Sequence, residues 1–249
     1  MSGFSSLLKA VWRRTQRRRA LSSNRKPERK RIALESLEPR LALTADLGFL
    51  TIPNQSVYGG APLWLGIDGS DQDGEELTYA VSVSDPDLLQ AMIAPRSNSS
   101  LKMDVAGYGQ MTFQLFDDLA PHTTQHIKSL VASGEFNNSS SLPVKWHRIA
   151  HYSGIDFVIQ GGPQYVGSSP LGPFDDEYNL DLQFTSAGLL GMGKSNDDTN
   201  DASIFVTGSS ARFLDFNHSI FGVHVELWSA DFATLCSDDN HAIRGICTI

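Results

Sequence analysis

The chain has 249 residues, 41% hydrophobic and 19% charged, ordinary figures for a folded protein with a sizeable core. Its net charge of −8 conceals two opposed regions: residues 1–40 carry 12 of the 20 Lys and Arg and three acids, a net of +9, and the rest carries −17. An acidic body without a basic face excludes nucleic acid as the partner of the folded part, and no apolar run approaches the roughly 20 residues needed to cross a bilayer.

The first element is the basic head, Arg13-Arg-Thr-Gln-Arg-Arg-Arg19 and Arg25-Lys-Pro-Glu-Arg-Lys-Arg31, expected to be disordered over residues 1–45. The stretch after it, from Ile32, is interrupted by Glu35, Glu38 and Arg40 and makes a poor signal-peptide core. Leu37-Glu38-Pro39-Arg40 is similar to a sorting segment near the start of some bacterial surface proteins. That likeness implies an exported or cell-surface location. A cytoplasmic tail is the alternative, and an arm for nucleic acid fits the charge but lacks interleaved aromatics.

Residues 46–105 read as a small β module. Strands are expected at Pro62–Ile67, Leu77–Val83 and Leu88–Ile93, with Leu77, Tyr79, Val81 and Val83 alternating onto one face. The pattern resembles the front of cadherin-like or immunoglobulin-like surface repeats, which implies a sandwich-like unit. Asp71, Asp73 and Glu75 offer oxygen atoms of the kind calcium takes, but a solvated acidic turn is the expected reading.

From residue 106 the pattern changes. The stretch ending in Phe116 reads as a strand, and a helix is expected over Pro121–Ser133, with proline in its first turn, Ile127, Leu130 and Val131 as its buried stripe and Gly134 to end it. His122 and His126 lie four apart on that helix, but no third metal ligand accompanies them, and a solvent-facing pair is expected. Strands follow near Lys145–Ile149, Ile155–Gly161, Gly188–Met192, Ser203–Thr207 and Ile220–Val225, with a long irregular loop over Pro163–Asp181. Short strands with irregular links and one early helix predict a closed antiparallel barrel. Asp175-Asp176-Glu177 reads as an exposed acidic loop. The two cysteines, Cys236 and Cys247, are too few for a disulfide framework or a four-ligand metal site.

Four separated blocks carry a family resemblance. They are Trp146-His-Arg-Ile149 with Phe157-Val-Ile-Gln-Gly-Gly162; Gly188-Leu-Leu-Gly-Met192; Asp198-Thr-Asn-Asp-Ala-Ser-Ile-Phe-Val-Thr207; and Phe213-Leu-Asp215 with His218-Ser-Ile-Phe-Gly222. In this order they resemble the cyclophilin family of peptidyl-prolyl isomerases, over about residues 111–222. The resemblance implies a mostly β fold, an eight-stranded antiparallel barrel with a helix over each end, spanning residues 106–226. Residues 227–249 match nothing in the family's closing segment, and the expectation is that residues after about Glu226 leave the barrel incomplete.

By the same resemblance Arg148, Phe157 and Gln160 are the catalytic set. Val158, Lys194, Ser203, Phe205, Phe213, Leu214 and His218 line the proline-binding face. Several depart from the family pattern: Val158 replaces a methionine, Phe213 a tryptophan, Ser203 a glutamine and Lys194 an asparagine. Phenylalanine at 213 lacks the indole N–H that contacts the inhibitor cyclosporin in tryptophan-bearing members.

The chemistry implied breaks no bond. A peptide bond resists rotation by about 18–20 kcal/mol because the nitrogen lone pair is shared with the carbonyl. As a prolyl amide twists, that pair localises on nitrogen, and a fixed guanidinium beside it binds the twisted state more tightly than either planar one. The implied partners are proline-containing polypeptides, whose folding the enzyme would assist. No cofactor or metal is expected, and a monomer is. A non-catalytic groove used for adhesion or chaperoning is the alternative from another class. Ser203, His218 and Asp215 hold the ingredients of a hydrolytic triad, but no Gly-x-Ser-x-Gly turn accompanies them.

Overall fold

The structure, a computed structural model, describes residues 47–49, 52, 54–67, 69–71, 77–106, 109–137, 144–152, 155–225 and 243–246. The basic segment 1–45, Asp73, Glu75 and both cysteines lie outside the described residues. The described residues fall into two compact units, one from residues 52–67 and 94–246, the other from residues 47–49, 69–71 and 77–93. In the second unit the described pairing is a short antiparallel ladder of β1 (Leu47–Phe49) and β2 (Gly69–Asp71). A Cβ on Gly69 would lie 2.9 Å from the Tyr79 hydroxyl, so that side chain packs directly on the β2 backbone.

The first unit is an eight-stranded antiparallel sheet. Its strands are β3 (Ser100–Val105), β4 (Gly109–Leu115), β5 (Val144–Tyr152), β6 (Ile155–Pro163), β7 (Leu189–Met192), β8 (Ile204–Thr207), β9 (Ile220–His224) and β10 (Ile243–Ile246). The order is β10-β3-β4-β9-β7-β8-β6-β5, and the end strands β10 and β5 come within 8 Å between Cα atoms, so the sheet curls back on itself. Every residue of β7 and β8 is buried, which is why Leu189-Leu190 and Ile204-Phe205-Val206 read as unbroken apolar runs. Leu101, Phe113, Phe116, Phe184, Leu189 and Phe221 are at 0% exposure and mark the centre of the core.

The helix α1 (Pro121–Ala132) buries Thr123, Thr124, Ile127 and Leu130, and Gly134 closes it at φ +81°. Ala120 at its N-cap supplies no side-chain acceptor. The Glu177 carboxylate does so from 54 residues away, accepting the His122 N–H at 3.2 Å and the Thr123 N–H at 2.8 Å. A negative charge on free N–H groups at the positive end of a helix stabilises it by about 0.3–1 kcal/mol or more.

Several expectations are corrected. Pro62–Ile67, Leu77–Val83 and Leu88–Ile93 are not in strands. The expected boundary at residue 105 falls inside the β3–β4 hairpin, which pairs Ser100 with Gln114 and Val105 with Gly109. Residues 62–66 belong with the barrel. The Trp64 ring packs on Phe116 at 4.6 Å between centroids, its indole N–H donates to the Asp181 carbonyl at 2.7 Å, and the Thr185 hydroxyl donates to the Pro62 carbonyl at 2.7 Å. An apolar stretch satisfied by contacts with the barrel does not require a sheet of its own.

The tail also departs from expectation. Ile243–Ile246 pairs antiparallel with β3, Ile243 against Val105 and Ile246 against Met103, with a register shift between Ile243 and Gly245. Four residues with an irregular register give too little alternation to be read as a strand from sequence. The helix pair is corrected as well: His126 faces inward, its ring 4.3 Å from that of Phe174, and burial first of all pushes its pKa down.

Candidate active site

A row of four residues crosses β5, β6, β8 and β7. Arg148 is paired with Gln160, Gln160 with Phe205, and Phe205 with Gly191. Laterally paired residues project to the same side of a sheet, so cation, amide and ring are set side by side by strand register alone. A bulge helps to aim the cation: the register passes from Trp146↔Gly161 to Arg148↔Gln160, leaving His147 as the extra residue. His147 Nδ1 lies 2.9 Å from Gln164 Nε2, and desolvation, the largest influence on the imidazole, pushes its pKa below the ordinary value.

Arg148 is exposed, and its Nη1 donates to Gln160 Oε1 at 2.9 Å. Gln160 Nε2 in turn donates to Ser203 Oγ at 2.9 Å. A charge-assisted hydrogen bond orients the guanidinium, and Gln160 is its side-chain partner among the described residues.

The apolar floor is made by rings. Phe205, 4% exposed, stacks on Phe184 at 5.5 Å between centroids and meets the edge of His218 at 5.4 Å. Phe157 is half-buried and touches Phe213 edge-on at 5.1 Å. Phe213 and Leu214 belong to the 3-10 turn Arg212–Leu214, where Phe213 is 55% exposed and Leu214 packs against the core. Val158, two residues before Gln160 on β6 and so on the same face of the strand, is buried. Gly161 accepts the Trp146 ring, which a Cβ there would meet at 2.6 Å, and Gly162 at φ +128° passes 2.5 Å from the Ala202 carbonyl by the same measure. The paired glycines therefore serve packing behind the site.

His218 is fixed from two sides. Its backbone N–H donates to the Leu214 carbonyl at 3.2 Å and its Nδ1 lies 2.8 Å from the Met192 carbonyl. A carbonyl only accepts, so Nδ1 carries the proton and Nε2 is the acceptor of the neutral ring. Burial, the largest influence on this imidazole, pushes its pKa below the ordinary value.

Lys194 is engaged elsewhere. Its ammonium is bound by Asp176, with Asp197 Oδ1 at 3.3 Å and the Tyr178 hydroxyl at 3.4 Å, and the Lys194 and Asp176 side chains are 4% and 3% exposed. Burial alone would raise the Asp176 carboxyl, but hydrogen bonds from Lys194, the Asp198 N–H and Asn200 outweigh it and hold the pKa at about 2. The acidic stretch is thus not uniformly exposed: Asp175 is, Asp176 is an ion-pair partner and Glu177 is the helix cap. Asp176, Asp197 and Asp198 approach closely enough to share a cation, and the Lys194 ammonium is the cation in contact with two of them.

The triad alternative fails on geometry. Ser203 binds Gln160, His218 binds Met192, and Asp215 binds the Arg212 guanidinium and accepts the Phe184 N–H at 2.6 Å. Sequence reading missed Gly191, Gly193 and Phe184. The Gly-x-Gly spacing of Gly191 and Gly193 on one side of a strand was the available signal, since it leaves space where a neighbouring strand must supply bulk.

Comparison with known proteins follows the same outline. Residues 100–229 match the family described as cyclophilin type peptidyl-prolyl cis-trans isomerase/CLD. The mouse peptidyl-prolyl cis-trans isomerase-like 1 is 37% identical over 119 residues, covering 46% of this chain and 66% of its own length, just under two thirds. The Schizosaccharomyces pombe peptidyl-prolyl cis-trans isomerase ppi1 is 35% identical, with 46% and 71% covered. A Cryptosporidium parvum cyclophilin, solved in the presence of the dipeptide Ala-Pro, superposes with a TM-score of 0.52 at 26% identity, covering 61% of this chain and 99% of that one.

Proposed function

The chain belongs to the cyclophilin-type peptidyl-prolyl cis-trans isomerase family, and on that premise we propose that it accelerates rotation about Xaa-Pro bonds in polypeptide substrates, assisting their folding. The observation that carries this reading is the Arg148 guanidinium, oriented by Gln160 and set in one row with the Phe205 ring. In this reading the proline ring rests on Phe157, Phe205 and Leu214, with Val158 beside them and Phe213 and His218 at the rim. Arg148 directs an N–H at the prolyl nitrogen as its lone pair localises. Gln160 and Ser203 line the approach of the flanking carbonyl. Lys194, with its ammonium held by Asp176, contributes to the rim through its backbone and through the ion pair that shapes the 194–201 loop.

The differential stabilisation needed is modest. An acceleration of about 10⁵ corresponds to roughly 7 kcal/mol less barrier, within reach of one preorganised cation in a water-poor site. A protease-coupled assay on a Xaa-Pro peptide tests the reading directly. Turnover above the uncatalysed rate supports it, and a folded protein with no acceleration overturns it.

The proposed setting is outside the cytoplasm, supported by the basic segment and Leu37-Glu-Pro-Arg40. Fractionation of cells expressing the full chain tests this, and recovery solely from the cytoplasm contradicts it.

A further inference from the structure

The Gln160 amide has two ends that must not be exchanged. Its Oε1 accepts Arg148 Nη1 and its Nε2 donates to Ser203 Oγ, both at 2.9 Å. Arginine has only donors, so the amide oxygen has to face it and the NH₂ has to face away. The last torsion of a glutamine is broad and nearly two-fold, so nothing intrinsic to the side chain selects that orientation. Arg148 selects it, and the Ser203 hydroxyl, by accepting from the NH₂ on the far side, anchors the amide at its other end.

Ser203 is short, and it reaches the amide only because of Gly193. The Gly193 N–H donates to the Ser203 carbonyl at 2.8 Å, which places the two residues face to face at the end of the β7–β8 ladder. A Cβ on Gly193 would lie 2.5 Å from Ser203 Oγ and 2.7 Å from Gln160 Nε2. The hydrogen bond occupies the volume that any side chain at 193 would take.

We propose that Ser203 is a positioning residue that anchors the Gln160 amide in the orientation Arg148 requires, and through it holds the Arg148 guanidinium, and that Gly193 is the gap in which this contact is made. The kinetic consequence rests on the isomerase reading; the geometric consequence stands without it.

The experiment compares the full chain with Ser203→Ala, Gly193→Ala and the double variant. Two quantities are read: kcat and KM on a Xaa-Pro peptide, and the side-chain NMR resonances of the Gln160 NH₂ and the Arg148 guanidinium. Loss of one hydrogen bond predicts a fall in kcat of roughly 3- to 10-fold for Ser203→Ala, with KM changed by less than about twofold. Gly193→Ala is expected to do the same, and both to shift the Arg148 and Gln160 signals. The double variant is expected to be no worse than the poorer single, since both substitutions remove one contact. An unchanged kcat with unmoved Arg148 and Gln160 signals in Ser203→Ala overturns the inference, as do single effects that multiply in the double variant. If the unaltered chain shows no isomerase activity, the functional reading falls by itself. The NMR arm then still decides: displaced signals in Ser203→Ala uphold the positioning role and unmoved signals refute it.

Discussion

Gly191 stands opposite Phe205 in the β7–β8 ladder, and a Cβ at 191 would come within 2.6 Å of the phenyl ring. The ring that floors the site is therefore seated in a space kept open by a missing methyl group. Its stacking on Phe184 and its edge contact with His218 leave it little freedom to retreat. Gly191→Ala is expected to cost about 1–3 kcal/mol through overpacking. Displacing the ring should also raise KM for a prolyl peptide. A denaturant midpoint and a KM both equal to those of the unaltered chain would show that the ring yields freely.

Arg148 is exposed, so its replacement should leave the core untouched. Arg148→Ala is expected to reduce kcat/KM by two or more orders of magnitude, on the order of 3 kcal/mol of lost transition-state stabilisation. Arg148→Lys is expected to remain poor, because an ammonium lacks the planar fork that Gln160 holds. Steady-state kinetics together with unchanged circular dichroism would check both.

Phe213 is half-exposed and meets Phe157 only edge-on, offering a ring and no N–H donor. Cyclosporin binding is expected to be weak. Phe213→Trp should strengthen it by about 1–3 kcal/mol if the indole N–H finds the partner that is otherwise left unsatisfied. Titration calorimetry of the two proteins measures this, and equal affinities would exclude the indole as the determinant.

The Asp176–Lys194 pair predicts a pH dependence of stability. Asp176 is depressed from 3.8 to about 2, so its contribution is present above pH 3.8 and is lost as pH falls toward 2. Asp117, where burial is outweighed by bonds from Lys128 and Ser99, is likewise held at about 2 and adds a loss in the same window. Lys194 is raised above 10.5 despite its burial, chiefly by Asp176, so its contribution is present below 10.5 and is lost only at higher pH. Urea midpoints at pH 7 and pH 3 should therefore differ. Asp176→Asn should lower the denaturation midpoint at pH 7, since it takes from the buried Lys194 ammonium the buried one of its two carboxylate partners and leaves it only the exposed Asp197, and should flatten the acid limb. An Asn variant with the full acid dependence would exclude this pair as its source.

Removing residues 240–249 takes away the strand that pairs with Met103–Val105. The free edge of β3 should then lose protection from amide exchange, and the melting temperature should fall. Exchange rates at Met103 and Val105 identical with and without the tail would show that β10 contributes nothing in solution.

What the sequence determined by itself is the part written in local chemistry and order. The strand pattern from Lys145 onward and the helix opened by Pro121 and closed by Gly134 follow from periodicity and turn residues, whereas Arg148, Phe157, Gln160 and Phe205 are singled out as site candidates by the family resemblance that the order of motifs carries. Tertiary structure alone decided which polar groups answer one another. Lys194, equally suited to a substrate by type, is consumed by Asp176; Glu177, in an acidic run, becomes the cap of a helix 54 residues away; Ile243–Ile246, too short and irregular to show alternation, completes the pairing of β3. Such choices depend on distances across the fold, because a charge or an orphan N–H is satisfied by whatever lies within about 3 Å of it, and sequence separation carries no information about that.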